Sequence, residues 1–409
     1  MPAPDGPRLR LLLGAFGDPG HAFPMLALGR ALAARGHDVV LQTWERWRAD
    51  AEREGLRFAP APEYHVFPTR ERPLKPLEAV VRATKDTRPL VAELRPHAVV
   101  ADILTLAPAL AGELEGVPVA TLIPHLDPRV PPGAPPYSLG ARPPRTRLGR
   151  RLWRTTDGVV RRSLELGRDE LNETRRRLGL APRPWKHNGI SRELAMVATF
   201  PQLEAPWPPR PATEVVGPLL WEPPAPALEL APGDAPLVLV APSTSQDPEQ
   251  RLLRAALGGL GPPLRARVVV STNRTPLPAP APANFRAVDW ISYAQAMPRC
   301  DVVVCHGGHG TVARALASGC VIVIVPAAGD MNETAARLDW AGVGVRLPPR
   351  FCAAGPLRLA VRRALAEPEL AARAAEVAEW ARAHDGAARA AAAVERFAVA
   401  RVDSVRHTN

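Results

Sequence analysis

Residues 301–347 constrain the fold of this chain more than any other stretch. They run DVVVCHGGHGTVARALASGCVIVIVPAAGDMNETAARLDWAGVGVRL. Asp301–Cys305 is a short Val-rich run, which predicts a buried strand. Val312–Ser318 predicts a helix with Gly319 as its stop. Cys320–Val325 predicts a second buried strand, closed by Pro326. Two strands joined through a helix make a β-α-β unit of a parallel sheet. The turn His306-Gly307-Gly308-His309-Gly310-Thr311 falls at the carboxyl end of the first strand, where open parallel sheets hold ligands. Its glycines let a ligand approach the backbone, and the N–H groups of the helix start favour an anion, above all a phosphate. A Gly-rich loop alone is equally a tight turn. Here His306 precedes the glycines, Thr311 adds a hydroxyl, and Asp330 follows the next strand. That set suits a nucleotide sugar.

The same alternation covers the rest of the chain. Strands are predicted at Arg8–Leu13, Asp38–Gln42, Leu56–Ala59, Ala98–Ala101 and Val117–Leu122, with helices near 25–35, 45–54 and 104–115. This predicts an α/β protein with a doubly wound parallel sheet. Residues 124–145 are Pro-rich and irregular. Arg147–Leu178 predicts a long Arg-rich helical stretch with a solvated face and one apolar stripe, Leu148, Leu152, Val159, Leu164 and Leu171. The alternative is a helix lying on a membrane surface. Leu237–Val240 opens a second α/β unit, followed by the polar loop Pro242-Ser243-Thr244-Ser245. The expected organisation is a first domain over 1–217, a Pro-rich linker over 218–236, and a second domain over 237–380. Residues 381–409 are expected to form a helix returning toward the first domain, and a tail.

A length of 409 residues suffices for two such domains. The formal charge of +11 raises nucleic acid or a membrane as partners. Lysine occurs only at Lys75, Lys85 and Lys186, however, and the excess arginine accompanies inflated Ala and Pro, as in a chain from a GC-rich genome. No nucleic-acid motif appears, so none is expected as a partner. Cys300, Cys305, Cys320 and Cys352 show no C-x-x-C spacing and predict small core residues in a reducing compartment. No apolar run approaches the ~18 residues of a membrane span. A cytoplasmic location without membrane contact is the expectation.

Two residues of the first half carry chemistry. His21 follows the first strand in a Gly-rich loop ahead of a helix. A helix start disfavours imidazolium, lowers the pKa and keeps a neutral base available. Such a base can take a proton from a hydroxyl. Asp102 also lies at the carboxyl end of a strand, and an Asp there can hold the imidazole tautomer and stabilise the cation once formed. The alternatives are a helix cap for His21 and a surface acid for Asp102. The spacing of Gly14, Gly17 and Gly20 is not that of a dinucleotide fold.

These motifs resemble family-1 glycosyltransferases of the two-domain GT-B fold, especially the bacterial natural-product enzymes. The family's donor signature is H-G-G-x-G-T followed by P-x-x-x-(D/E)-Q-x-x-N-A. The chain matches the first part; in the second it keeps Pro326, Asp330 and Ala335 but has Met331 for Gln and Thr334 for Asn. The family's G-H-x-x-P is met by Gly20-His21-Ala22-Phe23-Pro24. The resemblance is loose in the first half and close after Asp289.

The resemblance implies two Rossmann-like domains facing across a cleft, His21 as catalytic base and Asp102 as its partner. It implies transfer of a sugar from a UDP- or dTDP-sugar to a hydroxyl or other nucleophile of a lipophilic small molecule, with inversion, the acceptor pocket being lined by the first domain, including the loops near Phe67 and over 124–145. No D-x-D motif is present, so no metal and no cofactor are expected. His306, Gly308, Gly310 and Thr311 would meet the diphosphate instead. Ser243 and Thr244 are further phosphate contacts, and Trp290 would stack on the nucleotide base, its alternative being a core aromatic. His309 either touches the diphosphate or turns outward. Arg314 reaches a phosphate or stays solvated. Tyr293 and Ser292 replace a common Pro-Gln, with no role assigned. Asp330 would accept from sugar hydroxyls, while Met331 either relaxes sugar recognition or faces away, with Asn332 taking its place. The rival functions are a relative acting on the nucleotide sugar itself or on a lipid-linked acceptor, and a catalytically silent sugar-nucleotide-binding helper.

Overall fold

The computed structural model describes residues 7–62, 76–204, 207–226, 228, 233–242, 247–272, 275–327 and 329–406. Two parallel sheets organise them. The first is built from β1 (Arg10–Gly14), β2 (Asp38–Thr43), β3 (Arg57–Pro60), β4 (Ala98–Asp102), β5 (Val119–Ile123), β6 (Ala195–Val197) and β7 (Thr213–Val215), in the order β3-β2-β1-β4-β5-β6-β7. The second contains β8 (Leu237–Ala241), β9 (Arg267–Ser271), β10 (Phe285–Val288), β11 (Val302–Cys305), β12 (Val321–Ile324) and β13 (Gly344–Arg346), in the order β10-β9-β8-β11-β12-β13. The doubly wound architecture is as predicted.

Central strands such as β11 are buried along their whole length. Their unbroken Val and Ile runs suit a sheet covered by helices on both faces. In each sheet the strand order reverses next to the first strand, between β1 and β4 and between β8 and β11. In the registers Gly14 lies opposite Ala101, and Ala241 opposite Cys305. The crevices at these switch points open at the carboxyl ends, the natural ligand positions of the fold.

Helix α1 (Pro19–Ala34) covers the first sheet together with α7 (Gly386–Arg406), whose Ala390, Val394 and Ala398 are buried in the first core. Arg35 holds Glu395 through two bonds of 2.6 and 2.7 Å. Residues 218–228, where described, are not loose. Trp221 is buried and donates to Glu54 at 2.7 Å, while Glu222 accepts from Ser292 and from the Ala294 N–H. Leu126, Phe200 and Leu203 from the first half join the core of the second sheet.

Three expectations change. Helix α1 starts at Pro19, so His21 lies inside its first turn rather than ahead of it. The Arg-rich stretch is broken by a 3-10 turn at Arg154–Thr156, after which α3 runs Asp157–Arg177. Its apolar positions form two faces, not one: Leu148, Leu152 and Val159 are exposed, whereas Leu164 and Leu171 line a cleft. The reason is helical phase, because Leu164 and Leu171 fall roughly a third of a turn or more from Val159. Cys300, Cys305 and Cys320 are buried, but Cys352 is only partly so; all four are free thiols. No helix among the described residues is long and apolar enough to cross a membrane.

Candidate active site

His21 and Asp102 meet at the switch point of the first sheet. His21 Nδ1 lies 2.8 Å from Asp102 Oδ2, and the Asp102 side chain is fully buried. The other oxygen, Oδ1, accepts from the Leu104 N–H at 2.8 Å. The carboxylate is therefore held from both sides and accepts a hydrogen bond from Nδ1–H, which leaves Nε2 of the neutral ring as the basic nitrogen. Asp102 is neither a surface acid nor a free loop residue.

The electrostatics reverse one expectation. The helix start was expected to lower the His21 pKa. Burial does pull it down, but the charge and hydrogen bond of Asp102, with Asp18 and Asp330 behind them, outweigh burial and leave it raised. A buried carboxylate in direct contact outweighs the partial charges of a helix end.

Asp330 is the first residue of α6 (Asp330–Ala341), after Gly329 at φ +54°. Its charge acts on His21, His125 and Tyr137. The start of α6 thus faces the His21–Asp102 pair across the cleft. Met331 is partly buried, and its carbonyl packs beside Gly307. Thr334 is buried and donates to the Asp330 carbonyl at 3.1 Å. Asn332 packs against Gly140 of the Pro-rich segment.

The glycine-rich turn follows β11. Gly307 has φ +89°, and a Cβ there would run into Ile324. Gly308 precedes α5 (His309–Ala317), and no described residue lies within 4 Å of where side chains of Gly308 and Gly310 would stand. The helix start is open, with Thr311 beside it partly buried.

His306 does not point a free nitrogen at that opening. Its Nδ1 lies 2.9 Å from the Val325 carbonyl and its Nε2 3.1 Å from Asp247 Oδ2. Asp247 in turn accepts from the N–H groups of Arg251 and Leu252, capping α4 (Arg251–Gly259). Both ring nitrogens of His306 are thus engaged within the chain, and the ring ties the loop to the neighbouring crossover.

His309 neither turns outward nor faces the opening. It is buried, with Nε2 3.2 Å from the Ala198 carbonyl just beyond β6. Burial pushes its pKa down to about 4. Trp290, two residues past β10, is half exposed and so is not a core aromatic. Tyr293 is partly buried and packs against the second core, where desolvation raises its phenol. Arg314 is partly buried near Glu222 and Arg30, its pKa lowered by burial. Ser243 and Thr244 lie outside the described residues, as does Phe67, near which acceptor contacts were expected.

Two residues missed in the sequence stand at the same site. His125 and Tyr137 come from the Pro-rich segment, where no periodicity singles out a side chain. The His125 ring lies 6.2 Å from that of His21, and the Tyr137 hydroxyl 3.4 Å from His125 Nδ1. A cleft of about 390 Å³, lined by Val80, Ile103, Leu106, Leu164 and Leu171, begins at the residue after Asp102. A cavity of about 720 Å³ is lined by Val117 and Glu193 near the amino ends of β5 and β6, and by Trp185.

Residues 261–395 match the family described as "Erythromycin biosynthesis protein CIII-like, C-terminal domain". The chain is 30% identical to 4'-demethylrebeccamycin synthase of Lentzea aerocolonigenes, over 92% of this chain and 96% of that protein. It belongs to the bacterial natural-product glycosyltransferases. A second glycosyltransferase of this group, O-mycaminosyltylonolide 6-deoxyallosyltransferase of Streptomyces fradiae, is 29% identical over 96% of this chain and 98% of its own. Among solved structures, the kitacinnamycin glycotransferase superposes with a TM-score of 0.72 at 20% identity, covering 96% of this chain and 100% of the other. VinC in complex with dTDP gives 0.70 at 20% identity, covering 95% and 99%. These structures are GT-B glycosyltransferases, and the two-sheet fold of this glycosyltransferase is theirs.

Proposed function

We propose that this glycosyltransferase moves a sugar from a UDP- or dTDP-sugar to a hydroxyl, or another nucleophile, of a lipophilic small molecule, with inversion and without a metal. The observation that carries the reading is the buried Asp102 carboxylate on His21 Nδ1 at 2.8 Å, with Asp330 facing the pair. His21 Nε2 takes the acceptor proton. The freed oxygen attacks the anomeric carbon as the bond to the diphosphate oxygen breaks on the opposite face, so the configuration inverts and the nucleoside diphosphate departs. Asp102 stabilises the imidazolium that forms.

The N–H groups at the open start of α5, beside Gly308, Gly310 and Thr311, suit the diphosphate. Trp290, half exposed beyond β10, suits stacking on the base. The solved relatives VinC, with dTDP, and SsfS6, with thymidine diphosphate, support a nucleotide of this kind. The apolar cleft beginning at Ile103 suits a lipophilic acceptor. The name of one relative, a 6-deoxyallosyltransferase, favours a deoxy sugar.

The test is purified protein with a panel of UDP- and dTDP-sugars and phenolic or polyketide acceptors, read by mass spectrometry, with EDTA and with magnesium. The expected result is product formed equally in both, and a fall of about 10²–10⁴-fold in His21→Ala. A magnesium-reversible loss of activity, or near wild-type transfer by the variant, contradicts the reading.

A further inference from the structure

His125 follows β5 by two residues, and β5 places Leu122 opposite Asp102. The chain therefore leaves the sheet beside the catalytic pair. The His125 ring meets that of His21 edge to face, at 86°. Its Nδ1 lies 2.8 Å from the Leu126 carbonyl oxygen. A carbonyl only accepts, so Nδ1 carries the proton and Nε2 of the neutral ring carries a lone pair. Tyr137 braces this arrangement, with its hydroxyl 3.4 Å from the same carbonyl. Nε2 meets no protein partner among the described residues, yet it is not one of the sealed, unsatisfied interior atoms.

The surroundings select what Nε2 can do. Asp330 from α6 and the His21–Asp102 pair both act on His125 electrostatically. It thus lies against the base of the first sheet and within electrostatic reach of the carboxylate of the second, where the transferred sugar meets its acceptor in the proposed reaction. Among the described residues no carboxylate contacts its ring to stabilise an imidazolium, as Asp102 does for His21. A neutral ring with an open lone pair accepts a hydrogen bond and has no proton to give there.

We infer that His125 is a substrate-binding residue whose Nε2 accepts a hydrogen bond from one hydroxyl of the bound sugar or acceptor. The inference rests on the proposed glycosyl transfer at this site. It makes His125 a determinant of substrate choice, because a site built around a hydroxyl discriminates against the analogue lacking it.

The experiment pairs variants with deleted hydroxyls. Wild type, His125→Phe and His125→Gln are compared with dTDP-glucose and its 2-, 3-, 4- and 6-deoxy forms. They are also compared with a dihydroxy aromatic acceptor and its monohydroxy analogues. At one hydroxyl, deletion should lower wild-type kcat/KM by roughly tenfold, the order of one hydrogen bond, and should cost the Phe variant nothing. Gln, whose amide oxygen accepts, should recover part of the discrimination. A response in the donor arm assigns the sugar, and one in the acceptor arm the acceptor. Equal ratios for wild type and Phe variant at every position in both arms would overturn the assignment. If the Phe variant does not fold, His125→Leu makes the same comparison. A wild type that transfers no sugar from any donor contradicts the proposed function instead.

Discussion

His21 shows how one contact decides a residue's chemistry. A helix start alone favours a neutral imidazole with a lowered pKa. Asp102, buried and 2.8 Å away, raises it instead. The reaction needs the neutral base, so activity should be full above that raised pKa and fall as pH drops through it. With an acceptor that does not titrate, the acid limb of kcat/KM should lie above pH 6.5. Asp102→Asn should move this limb to lower pH and also depress the plateau, because an amide leaves the imidazole poorly oriented. A limb unmoved by Asp102→Asn would belong to another group. Met331 is the second residue of consequence. It stands beside Asp330 with a thioether, which donates no hydrogen bond. Wild type is expected to use a 6-deoxy or 2-deoxy donor at least as well as UDP-glucose, and Met331→Gln to shift preference toward glucose. Competition between the two donors reads this directly, and an unchanged kcat/KM ratio removes Met331 from the sugar site.

At the scale of elements, the proposed function assigns two surfaces of the second sheet to a nucleotide. One is the start of α5, left open by Gly308 and Gly310. The other is the turn after β10, where Asp289 accepts from Thr272 at 3.2 Å and Trp290 is left half exposed. Holding the preceding residue while exposing the indole suits a stacking platform. Trp290→Ala should weaken UDP or dTDP binding in calorimetry by about 1–3 kcal/mol, the range of base–aromatic stacking. Unchanged binding in a folded variant would make Trp290 structural. The turn after β11 illustrates the other half of the logic. His306 and His309 flank the opening, yet one binds Val325 and Asp247 and the other Ala198. They shape the loop rather than fill it.

Across the whole molecule the two sheets are bolted together around the cleft. Arg337 of α6 is fully buried, bonds Glu333 at 2.8 Å and donates to the Leu203 carbonyl of the first half at 2.9 Å. Arg142 pairs with Asp339, and Arg346 donates to the Gly140 carbonyl. The Pro-rich segment of the first half thus rides on the helix whose first residue is Asp330. Arg337→Ala strands Glu333, whose pKa burial already raises against the pull of Arg337. It should cost about 3–5 kcal/mol in denaturant unfolding. The double variant Glu333→Leu/Arg337→Met should cost clearly less, since no charge is left buried alone. A double variant as unstable as the single one would show that packing, not charge, dominates at this bolt.

The sequence by itself determined the strands, the doubly wound sheets, the glycine turn at α5, and the placement of Asp102 at a strand end. These follow from apolar runs, glycine positions and helix stops, which act within a few residues of one another. Where a side chain points depends on what packs against it from far along the chain. Ala198, just beyond β6, lies more than a hundred residues from His309, whose ring it holds, and Val325 and Asp247 flank His306 from opposite crossovers. Only the tertiary structure brought His125 and Tyr137 out of a Pro-rich segment to the His21–Asp102 pair, because a stretch without period gives no face to a side chain. It also decided the sign of the His21 shift, since a buried carboxylate acts through a distance of a few ångströms that no spacing in the sequence encodes.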